Sequence, residues 1–201
     1  MNLSGKIALV TGASRGIGEA LAIGLADHGT DVIICDLESE SKGLANTHKQ
    51  IEKTGKKCWS YFLDVTKKSQ IQKMVSDIIN DIGSIDILIN NAGILTPTSL
   101  EDIDEETWDS HFEVNTKGVL LMCQSVLPHM REKKFGRIIN IASIAGRQGS
   151  PTQGHYASTK SAVITLTRVL AQEVGESGIT VNAICPGIIS VSYTHLRAHE
   201  T

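Results

Sequence analysis

The stretch that most constrains this chain is residues 6–10, an apolar and β-branched run that passes without a linker into Thr11-Gly12-Ala13-Ser14-Arg15-Gly16-Ile17-Gly18. A helical stripe of Ile17, Leu21 and Leu25 follows, closed by Gly29. A strand that turns this tightly into a helix continues as a crossover, and crossovers join parallel strands. The same alternation recurs along the chain. Strands are predicted at 6–10, 32–35, 58–63, 85–89, 137–141 and 180–184. Several are apolar at nearly every position, as expected where helices cover both faces of a sheet. The 3.6-residue periodicity predicts helices over 16–28, 41–53, 67–81 with Thr66 as cap, 104–130 ended by Pro128, and 156–175. The expectation is an α/β domain, a doubly wound parallel sheet in three α/β/α layers. Its ligands belong at the carboxyl edge of the strands, near the switch point.

Composition narrows the partners. Of 201 residues, 41% are hydrophobic and 20% charged, enough to bury a sizeable core. The net charge is −3 with no basic cluster, so no nucleic-acid partner is expected. No apolar run is long enough to span a bilayer, and a strand starting at Lys6 leaves no room for a signal peptide. Cys35, Cys58, Cys123 and Cys185 are far apart and lack CxxC spacing, which predicts buried, reduced thiols in a cytoplasmic protein and no metal site.

The glycines at 12, 16 and 18 let the backbone approach a pyrophosphate closely, and a helix amino terminus adds free N–H groups and a favourable dipole. Their spacing is GxxxGxG rather than GxGxxG, and three glycines alone would be a weak signal. Their place after the first strand, with Asp36 ending the second, makes this a dinucleotide cradle. A carboxylate at Asp36 accepts hydrogen bonds from an adenosine ribose and repels a 2′-phosphate, favouring NAD. Arg15 pulls the other way: it can pair with the 2′-phosphate of NADP, or simply face solvent.

Tyr156 and Lys160 are four apart, so a helix sets them one turn apart on one face. Interconverting an alcohol and a ketone requires a proton carrier beside the hydride path, and a free tyrosine, with a pKa of about 10, is a poor base. Lowering that value by about 3 takes about 4 kcal/mol. An ammonium at about 4 Å, at an effective dielectric of about 20, can supply it, helped by the charge of oxidised nicotinamide. Ser143, after the strand ending at Ile141, can donate to a developing oxyanion. A lone YxxxK on a helix surface, or a lone serine after a strand, would mean nothing. His155 can touch substrate, but a surface loop position is the simpler expectation.

Taken in order, the glycine loop, Asp64-Val65, Asn90-Asn91-Ala92-Gly93, Asn115, Ser143, Tyr156, Lys160 and Pro186-Gly187 resemble the short-chain dehydrogenase/reductase family over residues 1 to about 190. The resemblance implies a Rossmann fold and a catalytic set of Asn115, Ser143, Tyr156 and Lys160. In it Asn115 interrupts its helix and holds a water that links Lys160 to solvent, and Lys160 also binds the nicotinamide ribose. It further implies cofactor contacts from Gly12, Ser14, Arg15, Gly16, Ile17, Gly18, Asp36, Asp64, Val65, Asn91, Ala92, Gly93, Tyr156, Lys160, Pro186, Gly187 and Ile189. Asp64 and Val65 would touch the adenine, although Asp64 also suits a strand-end cap. Asn90 would stabilise the central strands, and the helices over 104–130 and 156–175 would pair subunits into a homodimer or homotetramer. The implied function is oxidoreduction of a secondary alcohol or ketone with NAD. The alternatives are an NADPH-dependent 3-oxoacyl-carrier-protein reductase, and an inactive fragment or non-catalytic dinucleotide binder.

The pattern breaks after Ser190. Where the family has Thr, this chain has Val191, and residues 191–201 show neither strand alternation nor a helical stripe. They are expected to be a non-native, adapter-derived tail in place of a substrate lid, a further helix and a seventh strand. His195, His199 and Glu200 have zinc-ligand spacing, but an artefact explains them more simply.

Overall fold

The computed structural model describes residues 3–189. The expectations for Ser190, Val191, His195, His199, Glu200 and the domain boundary at 190 therefore lie outside the described residues. Six strands, β1 (Ile7–Thr11), β2 (Asp31–Asp36), β3 (Cys58–Phe62), β4 (Ile87–Asn90), β5 (Gly136–Ile141) and β6 (Ile179–Ile184), pair in parallel in the order β3-β2-β1-β4-β5-β6. The chain walks outward from β1 to β3 and then crosses to β4, which pairs with the other side of β1 through Ala8↔Ile87, Leu9↔Leu88 and Val10↔Ile89. A crevice opens at that reversal, beyond the carboxyl ends of β1 and β4.

Strand periodicity divides the core in two. Leu9, Ile33, Leu88 and Ile138 pack with α3 (Lys68–Asp81), α5 (Gly118–Lys133) and α7 (Gly154–Val174). Their neighbours Ala8, Val10, Val32, Ile34, Ile87 and Ile89 pack with α1 (Gly16–Asp27) and α2 (Ser41–Lys53). Fully burying a Leu or Ile contributes roughly 1.5–3 kcal/mol, which is why consecutive strand positions are apolar. Polar bonds fix the centre. Asn90 Nδ2 donates to Asn140 Oδ1 at 2.9 Å, and Asn140 Nδ2 donates to Thr167 of α7 at 2.9 Å.

Three local expectations are corrected. The stretch 104–130 is not one helix: α4 (Glu105–Phe112) passes through a π turn, Glu113–Lys117, before α5. Asp104 caps α4 by accepting the Thr107 N–H at 2.7 Å. Pro128 does not end α5, which continues to Lys133 and stops at Lys134 in the left-handed region (φ 52°). The proline forfeits one backbone bond, but Met122, Val126 and Met130 stay buried on the same helix and their burial outweighs that loss. Thr66 does not cap α3. Its N–H and hydroxyl turn back to the Asp64 carboxylate at 2.9 and 2.8 Å.

All four cysteines are free, with Cys35 and Cys123 buried and Cys58 and Cys185 half-buried. Burial pushes the Cys58 and Cys123 thiols up to about 12. Among the described residues no His, Cys, Asp and Glu are grouped to hold a metal ion, and no helix is long and apolar enough to cross a membrane.

Candidate active site

The glycine loop joins β1 to α1 and folds tightly on itself. Gly12 sits at φ +65°, and a Cβ there would lie 2.8 Å from Ala92 Cα. A Cβ on Gly18 would lie 2.1 Å from the Gly12 carbonyl oxygen. The loop is stapled to the end of β4: Asn91 Nδ2 donates to the Thr11 and Gly12 carbonyls at 3.0 and 2.9 Å. In return, Thr11 Oγ1 accepts the N–H groups of Asn91 and Ala92, both at 3.0 Å. No side chain caps α1, so its first-turn N–H groups are left for an anion entering the crevice. Gly18→Ala is expected to cost about 1–3 kcal/mol, because the added methyl meets backbone rather than a flexible side chain. Thermal unfolding should show a midpoint at least about 2 °C lower. An unchanged midpoint would mean that the loop relaxes freely.

A cleft of about 860 Å³ opens along this loop. Its walls include Gly12, Ser14, Arg15, Gly16, Ile17, Asp36, Asp64, Val65, Asn91, Ala92, Gly93, Gly187 and Ile189, all anticipated from the sequence. Gly18 is packed behind the loop rather than on the wall. Pro186 also lies off the wall, and its carbonyl accepts the Ile144 N–H at 3.0 Å. Glu40, Ile94, Leu95 and Val114 line the cleft as well, and no motif marked them.

Two opposite charges lie on the cleft wall, Asp36 at the end of β2 and Arg15 in the glycine loop. Asp36 Oδ2 accepts the Ser14 N–H at 3.0 Å and Oδ1 accepts the Leu37 N–H at 2.9 Å, which aims the carboxylate across the loop. Arg15, the cation that could oppose it, pairs with Glu40 at 3.5 Å.

Beside the cleft stand Ser143, Tyr156, Lys160 and Asn115. Ser143 follows β5; its Oγ accepts the Ala145 N–H at 3.1 Å, opening the short helix α6 (Ala145–Gln148), and it lies near enough to Tyr156 to favour the ionised phenol. Lys160 lies one turn after Tyr156 on α7, is 4% exposed, and donates to the Ile141 carbonyl at 2.8 Å. Its Nζ is 5.7 Å from the Tyr156 ring centroid. Asn115 projects from the π turn, fully buried. Its Oδ1 accepts the Ile94 N–H at 2.8 Å, and its Nδ2 donates to the Ile94 carbonyl at 2.9 Å and to Thr159 Oγ1 at 3.2 Å. A Cβ on Gly93 would lie 3.1 Å from Asn115 Oδ1 and 3.4 Å from Lys160 Nζ. A side chain at 93 would press on both groups.

The electrostatics differ from the sequence expectation. Burial pushes the Tyr156 phenol above its ordinary value, and the nearby Ser143 pulls the other way. Burial takes the Lys160 amine down to about 8. The lysine ammonium is aimed at the Ile141 carbonyl and does not by itself bring the phenol into the neutral range. The expectation for His155 is also corrected: it is fully buried in α7, with its ring edge-on to His111 at a centroid distance of 4.1 Å.

A phosphate cradle at the switch point of a parallel sheet, flanked by a serine–tyrosine pair and a buried lysine, is the arrangement of an NAD(P)-dependent oxidoreductase. The family model described as short chain dehydrogenase matches residues 6–200. The 3-oxoacyl-[acyl-carrier-protein] reductase of Staphylococcus epidermidis RP62A is 40% identical over 195 residues, covering 97% of this chain and 80% of the relative. That of Thermotoga maritima is 39% identical over 204 residues, covering 100% of this chain and 82% of the relative. Among solved structures, an NAD+-bound xylitol dehydrogenase matches with a TM-score of 0.90 at 33% identity, covering 93% of this chain and 72% of that one. The chain belongs to the short-chain dehydrogenase family.

Proposed function

We propose that this chain transfers a hydride between NAD(H) and a secondary alcohol or ketone, with Ser143, Tyr156, Lys160 and Asn115 as its catalytic set. The observation that carries the reading is Tyr156 beside Ser143, with Lys160 buried one turn beyond on the same helix. The cleft suits a dinucleotide: α1 is uncapped toward it, and glycines stand where a Cβ would strike backbone. Gly12, Ser14, Gly16, Ile17 and Gly18 form the phosphate side, Asp36, Asp64 and Val65 the adenosine side, and Asn91, Ala92 and Gly93 the wall between. Pro186, Gly187 and Ile189 flank the nicotinamide side. Bound there, the nicotinamide supplies or takes the hydride. Ser143 donates to the substrate oxygen where charge develops, and Tyr156 gives or takes the proton. Lys160, cationic below about pH 8, holds the ribose and favours the phenolate. A water is proposed to link Lys160 to Asn115 and solvent.

NAD is the preferred cofactor because the Asp36 carboxylate stands on the cleft wall at the end of β2, where it would repel a 2′-phosphate, while Arg15 pairs with Glu40. NADH is expected to bind at least about tenfold more tightly than NADPH, about 1.4 kcal/mol, and Asp36→Ala or Glu40→Gln should narrow the gap. Fluorescence titration with both reduced cofactors checks this, and tighter NADPH binding by the unmodified chain would overturn it.

A second reading is NADPH-dependent reduction of a 3-oxoacyl thioester, favoured by the two reductases at 40% and 39% identity. Turnover of a 3-oxoacyl thioester with NADPH, in preference to a ketone panel with NADH, would establish it. Binding without any turnover would establish a dinucleotide binder instead. The assembly proposed is a homodimer or homotetramer through α4–α5 and α7, which leave Leu120 and Val169 exposed on their surfaces.

A further inference from the structure

The cleft wall formed by Ile94 and Leu95 is anchored on both sides. Asn115 holds Ile94 through two hydrogen bonds, at 2.8 and 2.9 Å. Four residues earlier, His111 holds Thr96, whose N–H donates to His111 Nε2 at 3.2 Å. The other ring nitrogen, Nδ1, lies 2.7 Å from the Thr107 carbonyl. A carbonyl only accepts, so Nδ1 carries the proton and Nε2 offers its lone pair to Thr96. Leu95 is thereby fixed between two bonded neighbours.

The same two positions meet α7. Thr159 accepts from Asn115 at 3.2 Å and donates to the Tyr156 carbonyl at 2.7 Å. His155, one turn earlier on α7, sets its ring edge against His111 with an interplanar angle of 87°. His155 is fully buried and neither of its nitrogens has a hydrogen-bond partner.

We infer that His111 is a positioning residue of this site: as a neutral acceptor it holds Thr96, and with it the Ile94–Leu95 wall, while His155 keeps the ring oriented. A proton on His111 would sit on Nε2 and turn the acceptor into a donor facing the Thr96 N–H, releasing that side of the wall. The titratable group facing His111 is His155, from α7. The loop and the π turn present the neutral Thr96 and Asn115. Among the described residues no carboxylate pairs with either ring. Burial, opposed by the bond to the Thr107 carbonyl and joined by His155, holds the His111 imidazole below its ordinary range, so release belongs to acid solution.

The test is amide hydrogen exchange, read by NMR on the whole chain. In His111→Phe the protection factor of the Thr96 amide is expected to fall at least tenfold while that of Ile94 stays within twofold. His111→Gln, which restores an acceptor, should recover most of the loss, and His155→Phe, which keeps the ring edge, should leave Thr96 protected. Thr96 protection unchanged within twofold in His111→Phe would overturn the inference. Should that variant not fold, the unmodified chain decides. Thr96 protection must fall as the His111 ring titrates in acid, and a flat profile across that titration would overturn the inference equally. The inference rests on the hydride-transfer reading only for its kinetic consequence, a substrate KM raised at least fivefold in His111→Phe. The amide measurement is independent of turnover and would stand if that reading failed.

Discussion

Tyr156→Phe is expected to lower turnover by about 10²–10⁴-fold while changing cofactor affinity less than twofold. The substitution removes one hydroxyl and keeps the ring, so the packing of the first turn of α7 is retained. What disappears is the group proposed to exchange a proton with the substrate oxygen, beside Ser143. Ser143 still accepts the Ala145 N–H at 3.1 Å and remains able to donate to an oxyanion, so a residual rate is expected rather than none. The pH dependence should follow the phenol. Burial holds Tyr156 protonated in the cofactor-free chain, so alcohol oxidation, which needs a base, should rise toward alkaline pH in the parent and flatten in the variant. Single-turnover kinetics and a cofactor titration check both halves. A Tyr156→Phe rate within tenfold of the parent would remove the tyrosine from the chemistry.

Much of this site could be read from order and spacing, because glycine turns, strand ends and an i, i+4 pair are local features. The switch-point crevice followed from six parallel strands, and β2 to β6 each formed within two residues of the predicted bounds. Non-local features were not legible. That Arg15, still largely exposed, also pairs with Glu40 depends on where the short helical turn Glu38–Glu40 lands, and no periodicity encodes that. The four-residue α6 is too short to show a period. Pro128 misled for the opposite reason: its local rule is sound, but the buried methionines on either side override it. One helical turn between Tyr156 and Lys160 did not fix the distance between their charges, because the Ile141 carbonyl that takes the ammonium comes from β5.

That same ammonium makes Lys160→Met the substitution with the most divided outcome. Lys160 is 4% exposed and its one hydrogen bond is to Ile141. Burial moves its pKa from 10.5 to about 8 in the folded chain. The sign follows: the unfolded chain keeps the proton up to about 10.5, whereas the folded chain sheds it near 8. The unfolded state therefore binds more protons between those values, and stability climbs with pH across that window. Below about pH 8 the buried charge opposes folding by roughly 3 kcal/mol. Methionine has similar length and volume and no charge, so Lys160→Met is expected to raise the thermal midpoint by at least about 2 °C at pH 7. The stability difference between parent and variant should shrink as pH rises from 8 to 10.5. Turnover, in contrast, should fall by more than about 10²-fold, because the cation beside the ribose and the phenol is gone. Urea melts of both chains at pH 7 and pH 10, paired with a rate measurement, separate the effects. A variant less stable than its parent at pH 7 would mean that the bond to Ile141 outweighs the burial of the charge, so that this lysine supports the fold rather than opposing it.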